Sequence, residues 1–268
     1  MNRKHRSLLP AMAFGVLLAL QVSAFSALAQ APTPGGPGPG GFGGPGGPGG
    51  RGQSPILAAI KPAGDTTHTL TRSFIPNVKT IKTPDAKGFI QRWMVLEPVK
   101  NNRSNSTMTE SYIKTTLAST NFSPDYNAVP KNGETVKLAG QDLKWYALDS
   151  KDFNFNLYHF SYATNTTRNG VLFWLVTVIN CPQEIKNVKL SAGANSAGMF
   201  WVNGKDAIII PGDKDVIADL ATSPLLTLKK GRNVVRAAVI NGQGMANFCV
   251  RFLDENGSPV KNYTISYQ

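Results

Sequence analysis

One short string, MFWVNGKDAIII at residues 199–210, constrains the fold more than any other part of this chain. Residues 199–202 are apolar, residues 207–210 are apolar again, and Asn203-Gly204 lies between them. A two-residue turn between paired strands needs positive φ at both central residues, which Asn and Gly adopt at least cost, so the string predicts a tight antiparallel hairpin. Lys230-Gly231 and Asn241-Gly242 bracket a further strand at residues 234–240.

The same signals run along the chain. Residues 89–96 (FIQRWMVL) and 143–148 (LKWYAL) read as strands. Residues 153–163 (FNFNLYHFSYA) alternate, which as a strand puts Tyr158, Phe160 and Tyr162 on one face and His159 on the other. Residues 171–179 (VLFWLVTVI) are apolar on both faces, as in a strand covered from both sides. Further strands fall at 188–192, 226–228, 248–253 and 263–267, for roughly ten in all with Gly, Pro, Asn and Asp between them. This spacing predicts an all-β fold, an antiparallel β-sandwich or jelly roll, rather than βαβ units. Helical period is confined to residues 111–119 and 215–221. Residues 99–135 are polar and read as a partly helical insertion, a binding loop or a flap over one sandwich edge.

The ends differ in kind. Residues 1–30 combine a basic start (Arg3, Lys4, Arg6), an apolar run at 11–20 and Ala27-Leu28-Ala29, the pattern of a signal peptide cut near Ala29. Export to the periplasm or the exterior is therefore expected. No second apolar stretch reaches the ~18 residues of a transmembrane helix. Residues 31–55 are Gly/Pro-rich without a strict triplet period, a linker rather than collagen. Residues 56–268 then form one β-sandwich domain. Without the three basic residues of the first thirty, 25 Lys and Arg stand against 16 Asp and Glu, a net charge of +9. These charges are scattered, which argues against nucleic acid as a partner. Two cysteines in an exported chain predict a disulfide between Cys181 and Cys249.

Several motifs resemble the galactose-binding-like jelly rolls found beside bacterial carbohydrate-active enzymes. The opening strand and its proline are RWMVLEP at 92–98. The apolar strand, small-residue loop, aromatic-x-Asn-Gly-Lys hairpin and leucine-bearing strand ending in Lys-Gly-x-Asn match 172–179, 194–198, 201–205 and 226–233. The closing Phe-x-x-Arg-Phe-x-Asp is 248–254. The resemblance implies a sandwich fold and polysaccharide or another extracellular glycan as partner. It departs at the loop before the hairpin, which is acidic in that family and GANSAG here. Chains similar to this one are also labelled acetylxylan esterases.

An esterase needs a nucleophile, a base and an oxyanion hole. Ser196 in ANSAG is followed by a strand, where a nucleophile elbow requires a helix. His68 and His159 are the histidines left after residue 30, and neither sits in a hydrolase motif. No catalytic residue and no cofactor is assigned. Asp213, Asp215 and Asp219 (PGDKDVIAD) lack the central Gly and terminal Glu of a calcium-binding loop, so no metal site is assigned. For carbohydrate binding, Trp145 and Tyr146 offer an outward aromatic ring, and Asn241 and Gln243 in the NGQG loop offer polar contacts. The expected function is non-catalytic carbohydrate binding or extracellular interaction, with a carbohydrate esterase or a structural envelope protein as alternatives.

Overall fold

The computed structural model describes residues 69–101 and 108–268. The expected signal peptide, the linker 31–55 and His68 lie outside these residues. The described chain enters through β1 (Phe74–Pro76), β2 (Arg92–Leu96) and β3 (Val99–Lys100), then helix α1 (Glu110–Ser119). There follow β4 (Thr135–Leu138), β5 (Gln141–Ser150), β6 (Phe155–Asn156) and helix α2 (Leu157–Ala163). The rest is β7 (Val171–Cys181), β8 (Ile185–Ala194), β9 (Ala197–Val202), β10 (Lys205–Ile210), β11 (Ala221–Thr222), β12 (Leu226–Leu228), β13 (Gly231–Asn241), β14 (Asn247–Leu253) and β15 (Thr264–Ser266).

Two antiparallel sheets stack as a β-sandwich, as the strand spacing predicts. The larger runs β1-β5-β2-β7-β13-β9-β10, with β3 and β15 on β7 and β4 on β5. The smaller runs β11-β8-β14-β6, with β12 on β8. The hairpin of β9 and β10 turns at Asn203-Gly204 with φ of 51° and 77°, the values its residues were expected to supply.

β7 explains its own composition. Val171, Phe173, Leu175 and Ile179 face the core between the sheets, with Phe155, Phe200, Phe248 and Phe252. Leu172, Trp174 and Val176 face a second core on the outer side of the large sheet. That second core is closed by the insertion, which lies over a sheet face rather than over an edge. α1 supplies Ile113 and Leu117, and the loop after it supplies Phe122, Tyr126 and Val129. α1 forms because Thr109 caps it, its hydroxyl accepting from Tyr112 N at 3.2 Å, and because Ile113, Thr116 and Leu117 make one buried stripe. Arg236 of β13 rivets the loop to the sheet. Its guanidinium is fully buried, 3.9 Å from the Phe122 ring centre, 4.4 Å from Tyr126 and 4.3 Å from Trp174. It donates to Asn121 Oδ1 and, at 3.3 Å, to Ser123 O. Burial lowers its pKa to about 10, so it stays charged at neutral pH.

Three expectations are corrected. Residues 153–163 are a two-residue strand and a helix, because the Asn156 side chain accepts from His159 N at 2.7 Å and starts a turn. Burial then falls on Leu157, Phe160 and Ser161, a helical spacing that the alternating aromatics hid. Residues 215–221 form no helix; Asp219 has φ of 60° and Ala221 begins β11. The disulfide is absent, and both thiols are free and buried. Cys181 faces the core between the sheets, with Phe248, Val250 and Phe252. Cys249 alternates with those three, so it projects from the opposite face of β14, where Gly193 leaves room for its sulfur. The two sulfurs therefore lie on different faces of the small sheet and cannot bond. Burial raises both thiols, Cys249 to about 11.

Candidate functional site

At one end of the sandwich the chain crosses from one sheet to the other. β8 ends in the small sheet at Ala194, β9 starts in the large sheet at Ala197, and Asn195-Ser196 makes the step. Ser196 has φ of 55°, the left-handed region that costs an L-residue with a side chain. The step is held by its neighbours: Asn195 N donates to Asn247 O and Ser196 N to Lys214 O, each at 2.8 Å. The loop after β13 is fastened from the other side. Asn241, fully buried, donates to Arg168 O at 2.9 Å, Gly170 N donates to Gly242 O at 2.6 Å, and Tyr158 N to Ala246 O at 2.9 Å.

These segments enclose a cleft of about 460 Å³, lined by Asn195, Ser196, Asp213, Lys214, Asp215, Gln243, Met245 and Asn247. Its donor set is oxygen-rich. Asp213 accepts from Ser196 Oγ at 3.3 Å. Asn195 and Asn247 line the cleft, and their side-chain oxygens are buried and accept no hydrogen bond from the described residues. Asn247 is only 7% exposed, and a buried acceptor left unsatisfied costs about 1–3 kcal/mol until a ligand or water meets it. Beside the cleft, on the far flank of the 241–246 loop, the Arg168 guanidinium lies 4.2 Å over the Tyr162 ring and 5.9 Å from Tyr158. Tyr162 is partly exposed, so the flank presents an aromatic and a planar cation to solvent.

The cleft answers the sequence expectations unevenly. Gln243 lines it; Asn241 does not, its amide donating instead to Arg168 O. Trp145 is 1% exposed and stacks edge-on against Phe122 at 4.9 Å, inside the outer core. Tyr146 is half-buried, and its hydroxyl donates to Glu97 at 3.0 Å; burial, with that carboxylate, pushes it up to about 12. Neither residue lines the cleft. Asp213 and Asp215 come together here, but Asp219 does not. It accepts from Ser191 Oγ at 2.6 Å and pairs with Arg251, whose hydrogen bond holds its carboxyl below the usual range. No group of three or more His, Cys, Asp and Glu side chains suited to a metal occurs among the described residues. His159 Nδ1 lies 2.6 Å from Ser73 Oγ, so its serine partner is not Ser196. Asn195 and Asn247 were not singled out from sequence. Asn195 stands beside Ser196, and Asn247 immediately precedes the strand read at 248–253.

A second cleft, of about 600 Å³, lies where β9 ends, and Asn203 of the hairpin turn is part of its wall.

No family model matches this chain, and no curated protein matches it. Among solved structures, the PA14 domain of an antifreeze protein is 11% identical, covering 70% of this chain and 89% of that one, with a TM-score of 0.39. A PA14 sugar-binding domain from an RTX adhesin is 10% identical, covering 65% and 96%, with a TM-score of 0.36. An epithelial adhesin domain from Candida glabrata, solved with Galβ1-3GlcNAc, is 11% identical, covering 72% and 92%, with a TM-score of 0.29.

Proposed function

We propose that this chain is an exported, non-catalytic glycan-binding module, and that the loop-end cleft is its binding site. The observation that carries the reading is one cleft lined by the amides of Asn195, Gln243 and Asn247 together with the carboxylates of Asp213 and Asp215. Planar acceptors at that density suit the hydroxyls of a saccharide, which donate to carboxylate and amide oxygens, while its C–H faces rest on Met245 or on the exposed aromatic beside the cleft. The signal-like residues 1–30 and the Gly/Pro-rich stretch support a domain held away from a surface, where glycans are met. Ser196 speaks against the esterase alternative: it hydrogen-bonds to Asp213, and the one described histidine sits with Ser73.

The test is retention of the full chain on insoluble cellulose, xylan, chitin and mannan. Binding to at least one, lost in the exposed-site variants Asp215→Ala and Gln243→Ala with unchanged melting, is expected. Retention on none, or release of acetate from acetylated xylan that disappears in His159→Ala, would replace this reading with another.

A further inference from the structure

The second cleft sits at the other end of β9 from the first, and we infer that it binds a saccharide carrying carboxylate or sulfate groups. The cleft is about 600 Å³, within the range of small-ligand sites. Val202, Ala207, Pro224 and Leu226 give it apolar wall, and Lys205 and Lys229 stand among its lining residues. The two lysines come from different elements, the start of β10 and the residue after β12. A fully buried amide holds those elements together. Asn233 Oδ1 accepts from Asn203 Nδ2 at 2.8 Å and from Lys229 N at 2.9 Å, and its Nδ2 donates to Lys229 O at 2.8 Å. Asn203 Oδ1 accepts from Val234 N at 3.0 Å. The hairpin and the Lys229 turn are thus one rigid piece, so two cations are placed at one cleft with their backbone order already established.

Charge decides the ligand. Lys205 and Lys229 line the cleft against Glu184 and Asp206, with Lys186 beside them. Glu184 is already met by Lys186 at 3.3 Å. With Glu184 met from outside the lining, Lys205 and Lys229 face Asp206 alone, whereas the lining of the loop-end cleft holds two carboxylates and one lysine. Apolar wall with amide and hydroxyl groups suits a sugar ring. No aromatic side chain lines this cleft, so a nucleic acid would find its phosphates met and its bases unstacked. Because the lining residues are distinct from those of the loop-end cleft, this inference stands or falls separately from the reading above.

Calorimetry with the full chain tests it, using short oligogalacturonate as the carboxylate probe, a chondroitin sulfate oligosaccharide as the sulfate probe, and a neutral dextran oligosaccharide. At least one anionic probe binds and dextran does not. Binding weakens tenfold or more in the double variant Lys205→Glu/Lys229→Glu, tightens in Glu184→Gln, and is unchanged in Asp215→Ala. Both lysines are exposed, so the double variant is expected to melt with the wild type. If it does not, the Glu184→Gln arm carries the test alone. Whichever anionic probe binds identifies the group recognised. The inference is overturned if neither anionic probe binds, if binding survives the double reversal in a folded protein, if Glu184→Gln does not tighten it, or if single-stranded DNA binds with the same dependence on the lysines.

Discussion

Replacing Arg236 by Ala should loosen the insertion from the large sheet. The side chain has three aromatic faces around it and two oxygens beneath its amino groups, all from the insertion except Trp174. A desolvated cation–π contact is worth about 2 kcal/mol, and a hydrogen bond from a charged donor about 1.5–3 kcal/mol. These do not add in full, because removing the guanidinium also removes the cost of burying its charge. With a cavity left between the rings, the expected net loss is about 3–5 kcal/mol. For a domain of this size that is a melting shift of roughly 10 °C. Arg236→Met fills much of the space without the charge and should cost less, about 2 kcal/mol, mainly from the abandoned Asn121 and Ser123 oxygens. Urea titration gives the free energies, and limited proteolysis locates the change, with new cuts expected in residues 120–130. A loss under about 1 kcal/mol for the Ala variant, or a proteolysis pattern identical to wild type, would refute the idea that this cage fastens the insertion.

Other outcomes follow from named contacts. Iodoacetamide at pH 8 should label neither cysteine in the folded protein, since burial raises both thiols; unfolding without reductant should expose two alkylatable thiols, and recovery of a 181–249 bridge would contradict the facing directions of β7 and β14. Asp219 is held below its ordinary pKa first by Arg251, so its contribution is fully present above about pH 4 and is lost as pH falls through the lower folded value. The melting difference between wild type and Asp219→Asn should therefore shrink steadily below about pH 4; a difference that grows on acidification would show the sign to be wrong.

The strands were legible where local chemistry dictates them. Asn203-Gly204 could only turn, and a strand apolar on both faces, as at 171–179, had to be covered twice. In sequence the polar insertion reads as a partly helical binding loop or edge flap, because its few apolar residues are spread between Met108 and Val129, and only the fold shows them converging on Trp174 and Trp201. Residues 157–163 misled because aromatics at every second position mimic a strand; the decisive signal was Asn156, a capping residue. The candidate site was half legible. Of the residues read from sequence Gln243 lines the cleft and Asn241 does not, while Asn195, Asp213 and Asn247 meet only through the crossing between sheets, a contact that no local spacing records. Alternation turns one ring of the Trp145-Tyr146 pair away from the core between the sheets, and that ring, Trp145, is covered by the insertion.

A glycan array probed with the wild-type chain and with Asp215→Ala and Asn247→Ala in parallel addresses the central claim most directly. The wild type should bind at least one saccharide, and both variants should lose that binding by tenfold or more while keeping the wild-type circular dichroism spectrum. Binding that both variants retain at full strength would place the site elsewhere on the molecule, and an array with no bound glycan would contradict the claim outright.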